Sequence, residues 1–449
     1  MDRAQILAHQ YDRVPRYTSY PTAPHFRPAS DDGAYAARLA GGFAEPLSLY
    51  LHVPYCRTLC WYCGCHTRAT RVDTPVLRYA EAMALEIDRV ADRIGHRAAV
   101  GHIHWGGGTP TILAVDTFTA FMAQIDRAFR RTEACEAAIE IDPRVFTDAH
   151  AEAFREARIT RVSLGVQSLD ERVQAAINRI QPLADTVRAI ERLRAVGISE
   201  INLDLVYGLP HQTVASVADT VDGIADLKPG RIAVFGYAHL PRLKRHQRLI
   251  DPAALPGGAE RLDQALAVHD RLVHHGYIPI GLDHYALPGD GLAEAAAAGR
   301  LRRNFQGYTT DACPTLLGFG ASAIGAFDDL YVQNTPDIPA YLAQVAAGRL
   351  PIARACALDA EDRLRRRVIE ELMCTLSVDI AAEAAGFGVP ADHFAEELAR
   401  LEAFRRRGIL AINGWRVTVA EDYRLLVRSV AAVFDTYLAP TEQLHATAV

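Results

Sequence analysis

The chain has 449 residues, a formal net charge of −6, and is 50% hydrophobic and 23% charged. That composition excludes a dominantly disordered, collagenous or coiled-coil state, and the acidic balance argues against a nucleic-acid binder held by a dense basic surface. The basic residues are nearly all arginine, with Lys228 and Lys244 as the lysines, a bias we read as genome composition rather than function. No apolar stretch follows Met1-Asp2-Arg3, so no secretory signal is read. Uncharged runs such as 98–115 are broken by Gly, Pro and His, so no membrane span is expected. A cytoplasmic protein follows, in which clustered cysteines are metal ligands or catalytic groups rather than disulfides.

Residues 1–45 carry turn signals instead of periodicity, including Pro15-Arg16-Tyr17-Thr18-Ser19-Tyr20-Pro21, and are expected to be irregular. A repeating unit then begins. Leu47–Val53 reads as a strand and Thr74–Ile94 as an amphipathic helix; Gly101–Trp105 is a strand and Asp116–Phe129 a helix. Strands over Ala137–Ile141, Arg161–Gly165, Ile201–Val206 and Ile232–Phe235 precede helices near Ala149–Ala157, Thr186–Ala195, Val214–Leu227 and Glu260–His275. Six strand–helix alternations predict an α/β architecture with a parallel sheet, and six rather than eight predict an incomplete (β/α)6 barrel. Gly106-Gly107-Gly108, Gln167, Asp204 and Ala238 fall at or just beyond strand C-termini, the edge where α/β barrels build active sites. The Ala-rich Leu292–Ala298 is expected to be helix. From Glu361 the texture changes: helices over Glu361–Leu376, Ile380–Ala385 and Ala391–Arg407, a hairpin over Gly408–Val419 turning at Asn413-Gly414, and a final helix over Asp422–Phe434. This small winged-helix-like domain is expected to be a packing or lid module, since DNA binding sits poorly with an acidic chain. The expected division is 1–45, 46–360 and 361–449.

Of the eight cysteines, Cys56, Cys60, Cys63 and Cys65 share one loop after the first strand. The spacing C-x3-C-x2-C lets Cys56, Cys60 and Cys63 hold three irons of a 4Fe–4S cube. The fourth iron is left open for chemistry, as an open position marks a catalytic metal site elsewhere; an amino acid chelating through amine and carboxylate can occupy it. The alternative is a structural zinc on all four cysteines. Zinc loops usually arrive as two separated C-x2-C pairs, and no second pair exists, so the cluster is favoured. Cys65 lies outside the three-ligand spacing and is expected not to ligate it.

The run Cys56-Arg57-Thr58-Leu59-Cys60-Trp61-Tyr62-Cys63 after a first strand resembles the radical S-adenosylmethionine enzymes. Cys65, Pro15–Pro21, His104-Trp105-Gly106-Gly107-Gly108-Thr109-Pro110, Tyr207-Gly208-Leu209-Pro210, Arg303–Thr310 and Phe434-Asp435-Thr436-Tyr437-Leu438 narrow the resemblance to the oxygen-independent coproporphyrinogen III oxidase (dehydrogenase) family, over essentially the whole chain. The resemblance implies two S-adenosylmethionine molecules beside the cluster. It implies that Tyr50, Tyr62, Gly107, Gly108, Thr109, Glu140, Gln167, Arg179, Asp204, Ala238, Phe305, Gln306 and Ile324 bind them, and that residues 1–45 cover the substrate. Read by themselves, Phe305 and Ile324 are core residues, and Glu140 is a carboxylate that needs a partner such as Arg161.

The activity so implied belongs to heme biosynthesis. A reduced cluster cleaves S-adenosylmethionine, the resulting 5′-deoxyadenosyl radical takes a hydrogen from a propionate β-carbon of coproporphyrinogen III, and loss of an electron and CO2 leaves a vinyl group. Two propionates react to give protoporphyrinogen IX. An unidentified electron donor and acceptor are implied as partners, with a monomer as the working unit and neither nucleic acid nor membrane. Arginine forks are expected to meet the substrate carboxylates, with Arg16, Arg302 and Arg303 as candidates. A related heme-binding chaperone is the alternative; such relatives keep the three-cysteine spacing but lack the Cys65 equivalent and the long N-terminal segment, both present here.

Overall fold

The structure is a computed structural model that describes residues 2–438. The chain forms two compact units, and it passes from one to the other more than once. The compact units therefore follow a different division from the three consecutive segments read along the sequence.

Phe26–Asp204 and Asp311–Ala357 make the first unit. Its centre is a parallel array in which Thr315–Phe319, Leu47–Val53, Ala99–Gly107, Arg130–Ile141 and Arg161–Gln167 lie side by side in that order. Leu47–Val53 is buried along its whole length except at Tyr50, the near-continuous apolar run of a strand covered on both faces. The helix Thr74–Ile94 has Pro75 in its first turn and ends at Gly95, whose φ of 76° lies in the left-handed region, the usual start and stop asymmetry. Its buried positions Val76, Tyr79, Met83, Ile87, Val90 and Ile94 recur every three or four residues, one apolar stripe. Trp105 is fully buried against Phe118 and Phe121 of the helix Val115–Ala128. The parallel register brings the strand ends Val53, Gly107, Ile141 and Gln167 to one edge.

The sequence reading did not contain the strands that follow residue 311. Ile324–Ala326, Leu330–Asn334 and Ile352–Ala357 add antiparallel to the array, so the sheet is mixed. These runs are three to six residues long and two of them have no helix between them, so neither helical period nor a βα rhythm announces them.

Residues 2–25, Leu205–Thr310 and 358–438 make the second unit. Here Arg231–Gly236 pairs with His284–Ala286, which pairs in turn with Ile278–Ile280, both antiparallel. The expected Ala-rich helix is Gly291–Ala297. In the C-terminal region Ala360–Thr375 is a single helix, and Ser377–Asp379, Arg416–Val419 and Leu410–Asn413 form a small antiparallel sheet. Asn413 pairs with Arg416, so the turn is Gly414-Trp415, one residue beyond the expected Asn413-Gly414; Gly414 supplies the positive φ of 62°. The expected helix Asp422–Phe434 is broken into a 3-10 segment Glu421–Leu426, a short α-helix Val427–Ala431 and a further 3-10 turn, with Tyr423 outside helical geometry.

The N-terminal segment is also more ordered than expected. Asp2 caps a helix Arg3–Ala8 by accepting the Ala4 N–H, and Gly33–Gly41 is a second helix. Ile6, Val14, Tyr17 and Tyr20 are buried in one cluster with Leu372 and Phe434. The Tyr17 hydroxyl donates to Asp435 at 3.0 Å, and the Tyr20 hydroxyl shares a hydrogen bond of 2.9 Å with Thr436. The motifs at 15–21 and 434–438 are thus two halves of one packed region. No described helix is long and apolar enough to cross a membrane.

A buried carboxylate ties the first unit together. Glu86 accepts from Gly320 N–H, Asn334 Nδ2 and the Tyr341 hydroxyl at 2.6–2.8 Å. Burial outweighs these donors and pushes its pKa up to about 7. A raised carboxyl pKa favours folding below the unfolded value and loses that contribution as pH rises through the folded one. Stability should therefore fall between about pH 4.5 and 7 by on the order of 3 kcal/mol from this group. Glu86→Gln should remove that slope, read as the difference between the two proteins' unfolding midpoints at pH 5 and pH 8; identical pH dependence would contradict this account.

Candidate active site

The cysteine loop is anchored from several sides in the first unit. Cys56 sits on a two-residue strand, Tyr55–Cys56, paired with Arg68–Ala69. The Thr67 and Thr109 hydroxyls lie 3.4 Å from its sulfur; burial pushes its thiol up, and these two contacts offset part of that rise. Cys60 is buried, with Arg179 3.5 Å and Arg144 4.0 Å from its sulfur. The segment after the strand Arg161–Gln167 clamps the loop backbone: Ile177 O accepts Trp61 N–H at 2.9 Å, and Asn178 Nδ2 donates to Leu59 O at 2.9 Å. Cys65 is exposed and hydrogen-bonded to Cys63, which chiefly raises its pKa.

The glycine loop lies directly on this one. Gly108 N–H donates to Val53 O at 2.8 Å and Thr109 N–H to Tyr55 O at 2.9 Å. A Cβ at Gly108 would stand 2.5 Å from Tyr55 O, and one at Gly107 would stand 2.6 Å from the His52 ring, where φ is also +112°. Glycine is required at both for steric and conformational reasons. Burial lowers the His52 pKa to about 4, so His52 is neutral: Nε2 donates to His66 O at 2.9 Å and Nδ1 accepts from the Tyr50 hydroxyl at 3.1 Å.

Glu140, Asp142 and Asp204 line the cleft, and Glu140 and Asp204 differ in charge state. Glu140 lies 3.2 Å from His104 Nε2 and accepts Gly107 N–H at 3.3 Å. Enclosure would raise its pKa, but the His104 contact and the Gly107 donor outweigh it and hold Glu140 below the ordinary value. Arg161, the partner considered from sequence, pairs with Glu136 and Glu200 instead. Asp204 accepts from Asn202 Nδ2 at 2.8 Å; enclosure and the charge of Glu140 push it up to about 7. Arg179 is held by Gly165 O at 2.7 Å and lies 3.6 Å from Asp142. Gln167 ends its strand with φ of 73° and is buried, a sparsely populated conformation of the kind found at ligand sites.

The lining of one cleft of about 710 Å3 includes Cys56, Cys60, Cys63 and Cys65 together with Tyr62, Gly107, Gly108, Thr109, Glu140, Gln167, Arg179 and Asp204. Tyr50, stacked on His104 at 5.8 Å, and Ile324, on the strand Ile324–Ala326, are not part of this lining. Ala238, Phe305 and Gln306 belong to the second compact unit; Ala238 O accepts from Gln247, and Phe305-Gln306 form the turn of the hairpin that pairs Arg302–Asn304 with Gly307–Thr309. Sequence reading did not single out Thr67, Arg144, Asn178 or His52, and took His104 only as the first residue of the motif His104–Pro110. Nothing in their local pattern announces them; the alternation in Ile103-His104-Trp105 does place His104 on the face opposite two apolar residues.

The donor set fits a 4Fe–4S cluster. Three thiols share the cleft, with hydroxyl and guanidinium groups against two of them, and among the described residues no three His, Cys, Asp or Glu side chains converge on a single metal ion. In a cluster each cysteine takes a different iron, so the sulfurs need not converge as zinc ligands must.

Comparison with known proteins agrees with this geometry. Residues 50–224 match the Radical SAM superfamily, which defines the class of the fold and its site, and residues 358–421 match the HemN C-terminal domain. A protein of Bradyrhizobium diazoefficiens named oxygen-independent coproporphyrinogen III oxidase is 50% identical over 99% of each chain, and one of Cereibacter sphaeroides named coproporphyrinogen III oxidase, anaerobic 1, is 41% identical over 95% of each. The solved coproporphyrinogen III oxidase HemN of Escherichia coli, described as a radical SAM enzyme, superposes with a TM-score of 0.90 at 37% identity, covering 96% of this chain and all of that one. The chain belongs to the family of oxygen-independent coproporphyrinogen III oxidases.

Single replacement of Cys56, Cys60 or Cys63 by Ala should prevent a full iron complement after anaerobic reconstitution, whereas Cys65→Ala should keep the visible cluster absorbance. Iron analysis and spectra on the four variants check both statements.

Asp204→Asn should lower S-adenosylmethionine affinity by on the order of 1.5–3 kcal/mol, the range for a hydrogen bond to a charged group. Because the raised carboxyl pKa costs folding stability above about pH 7, the same variant should be no less stable than the parent at pH 8 without cofactor. A large loss of stability there with unchanged affinity would show that Asp204 is a structural residue.

Proposed function

We propose that the chain catalyses the oxygen-independent oxidative decarboxylation of two propionate side chains of coproporphyrinogen III to vinyl groups, giving protoporphyrinogen IX in heme biosynthesis. The observation that carries this reading is the convergence on one cleft of three cysteine thiols with the glycine loop, Glu140 and Asp204, in a chain aligned end to end with enzymes so named. When bound, the cluster and S-adenosylmethionine supply the one-electron chemistry that removes hydrogen from a propionate carbon.

The chain's own residues bind and orient. Cys56, Cys60 and Cys63 would hold the cluster, and the Arg179 and Arg144 guanidiniums and the Thr67 and Thr109 hydroxyls lie where they stabilise negative charge on its sulfur ligands. The glycine loop exposes backbone next to the cysteine loop, where an ammonium needs carbonyl oxygens and a carboxylate needs N–H donors. Glu140, ionised, suits an ammonium; Asp204 and Gln167 suit ribose hydroxyls and adenine edges. We take two S-adenosylmethionine molecules to bind, as the family resemblance implies. Equilibrium dialysis of the reconstituted protein should give a stoichiometry near two, and a value of one would refute this part.

The heme-delivery alternative is weakened by Cys65, which lies on the cleft, and by the N-terminal segment, whose Tyr17 and Tyr20 are built into the fold. Anaerobic incubation of the reconstituted protein with coproporphyrinogen III, S-adenosylmethionine and a low-potential reductant should yield protoporphyrinogen IX. Tight heme binding without turnover would establish the chaperone instead.

A further inference from the structure

The second unit holds a separate, half-open pocket that the site above does not use. Its lining includes three arginines, Arg16, Arg261 and Arg428, and one carboxylate, Asp283. Asp283 is already engaged, with His284 Nδ1 at 2.8 Å and Arg303 at 3.9 Å. Arg16 donates to Gly236 O and Arg261 to Tyr237 O, each at 2.9 Å, and their guanidiniums lie 5.7 Å from the Phe235 and Tyr207 rings. These contacts fix where the two forks stand while using one of the five N–H groups of each. Arg428 is 5% exposed; burial, then repulsion from Arg16, lowers its pKa to about 10. Gathering guanidiniums in a half-enclosed pocket opposes folding, and a bound anion relieves that cost.

The remaining wall is apolar or aromatic, with Tyr207, Tyr285, Val234, Val268 and Leu425. A ligand for such a pocket carries a carboxylate on a short hydrocarbon arm. We propose that Arg16, Arg261 and Arg428 hold a propionate carboxylate of the tetrapyrrole substrate through charge-assisted hydrogen bonds, with the apolar wall against its methylenes; this rests on the function proposed above. Arg303, considered from sequence for the same task, serves it at one remove. It is buried, donates to Arg16 O at 3.1 and 3.2 Å and lies 4.2 Å from the Tyr308 ring, so it positions the Arg16 backbone.

The test is a fluorescence titration of the anaerobically reconstituted protein with coproporphyrin III, the stable oxidised form of the substrate, and with its tetramethyl ester. Arg16→Gln and Arg261→Gln should each weaken coproporphyrin III binding roughly tenfold to a hundredfold, as loss of a hydrogen bond to a charged group predicts. Both should leave ester binding, S-adenosylmethionine binding and cluster absorbance at parental values. Two variants on different elements guard against a local folding defect. Parental coproporphyrin III affinity in both variants would overturn the pocket assignment while leaving the function intact. Absence of coproporphyrin III binding to the parent protein would likewise overturn the pocket assignment, whereas failure of the parent to form protoporphyrinogen IX would overturn the function on which it rests.

Discussion

The first unit depends on how closely two loops approach at the ends of two parallel strands. Leu47–Val53 and Ala99–Gly107 run side by side to the same edge, and Gly108 and Thr109 then donate their N–H groups to Val53 and Tyr55. That pairing leaves no space for a side chain at 107 or 108. It also fixes the cysteine loop at its root, so the thiols, the glycine backbone and the carboxylate of Glu140 are held within one cleft by main-chain geometry rather than by flexible side chains. Preorganisation of this kind is what a site needs if reactive groups are to meet without further ordering.

Electrostatics then differentiates the cleft. Glu140 has His104 and an N–H donor and stays anionic, whereas Asp204 has a neutral amide and stands near neutrality in its titration at about pH 7. Two acids a short way apart on one wall thus present different hydrogen-bonding characters, the general route by which one fold separates the roles of like residues. The cysteines are treated unequally as well. Cys60 is buried against two guanidiniums, Cys56 meets two hydroxyls, and Cys65 is exposed.

The second unit uses arginine differently. Arg365 is buried with Glu397 and Glu361 as charge partners at 2.9 and 2.6 Å, and Arg231 is buried against Asp290 at 2.6 Å; both pairs are structural. Arg16, Arg261 and Arg428 instead share a pocket with one carboxylate, Asp283, which His284 and Arg303 also engage. Composition hides this contrast, since the arginine bias spreads guanidiniums over every kind of environment.

The amino-acid sequence by itself determined the alternation of strands and helices between residues 47 and 275, because each element carries its own apolar period and its own stop signals. Leu47–Val53 and Thr74–Ile94 fall where the pattern puts them, to the residue. It also carried the cysteine spacing from which the cluster ligands are proposed, since spacing within eight residues is a local property. Tertiary structure decided what depends on distant partners. Residues 2–25 lack periodicity because Ile6, Tyr17 and Tyr20 are buried by contacts with the C-terminal region, not by a repeating face. The antiparallel strands after 311 are too short to signal themselves. The His104–Glu140 pair, the hold of Asn178 on the cysteine loop and the gathering of three arginines all join residues far apart in the chain, where only the folded backbone sets the distance.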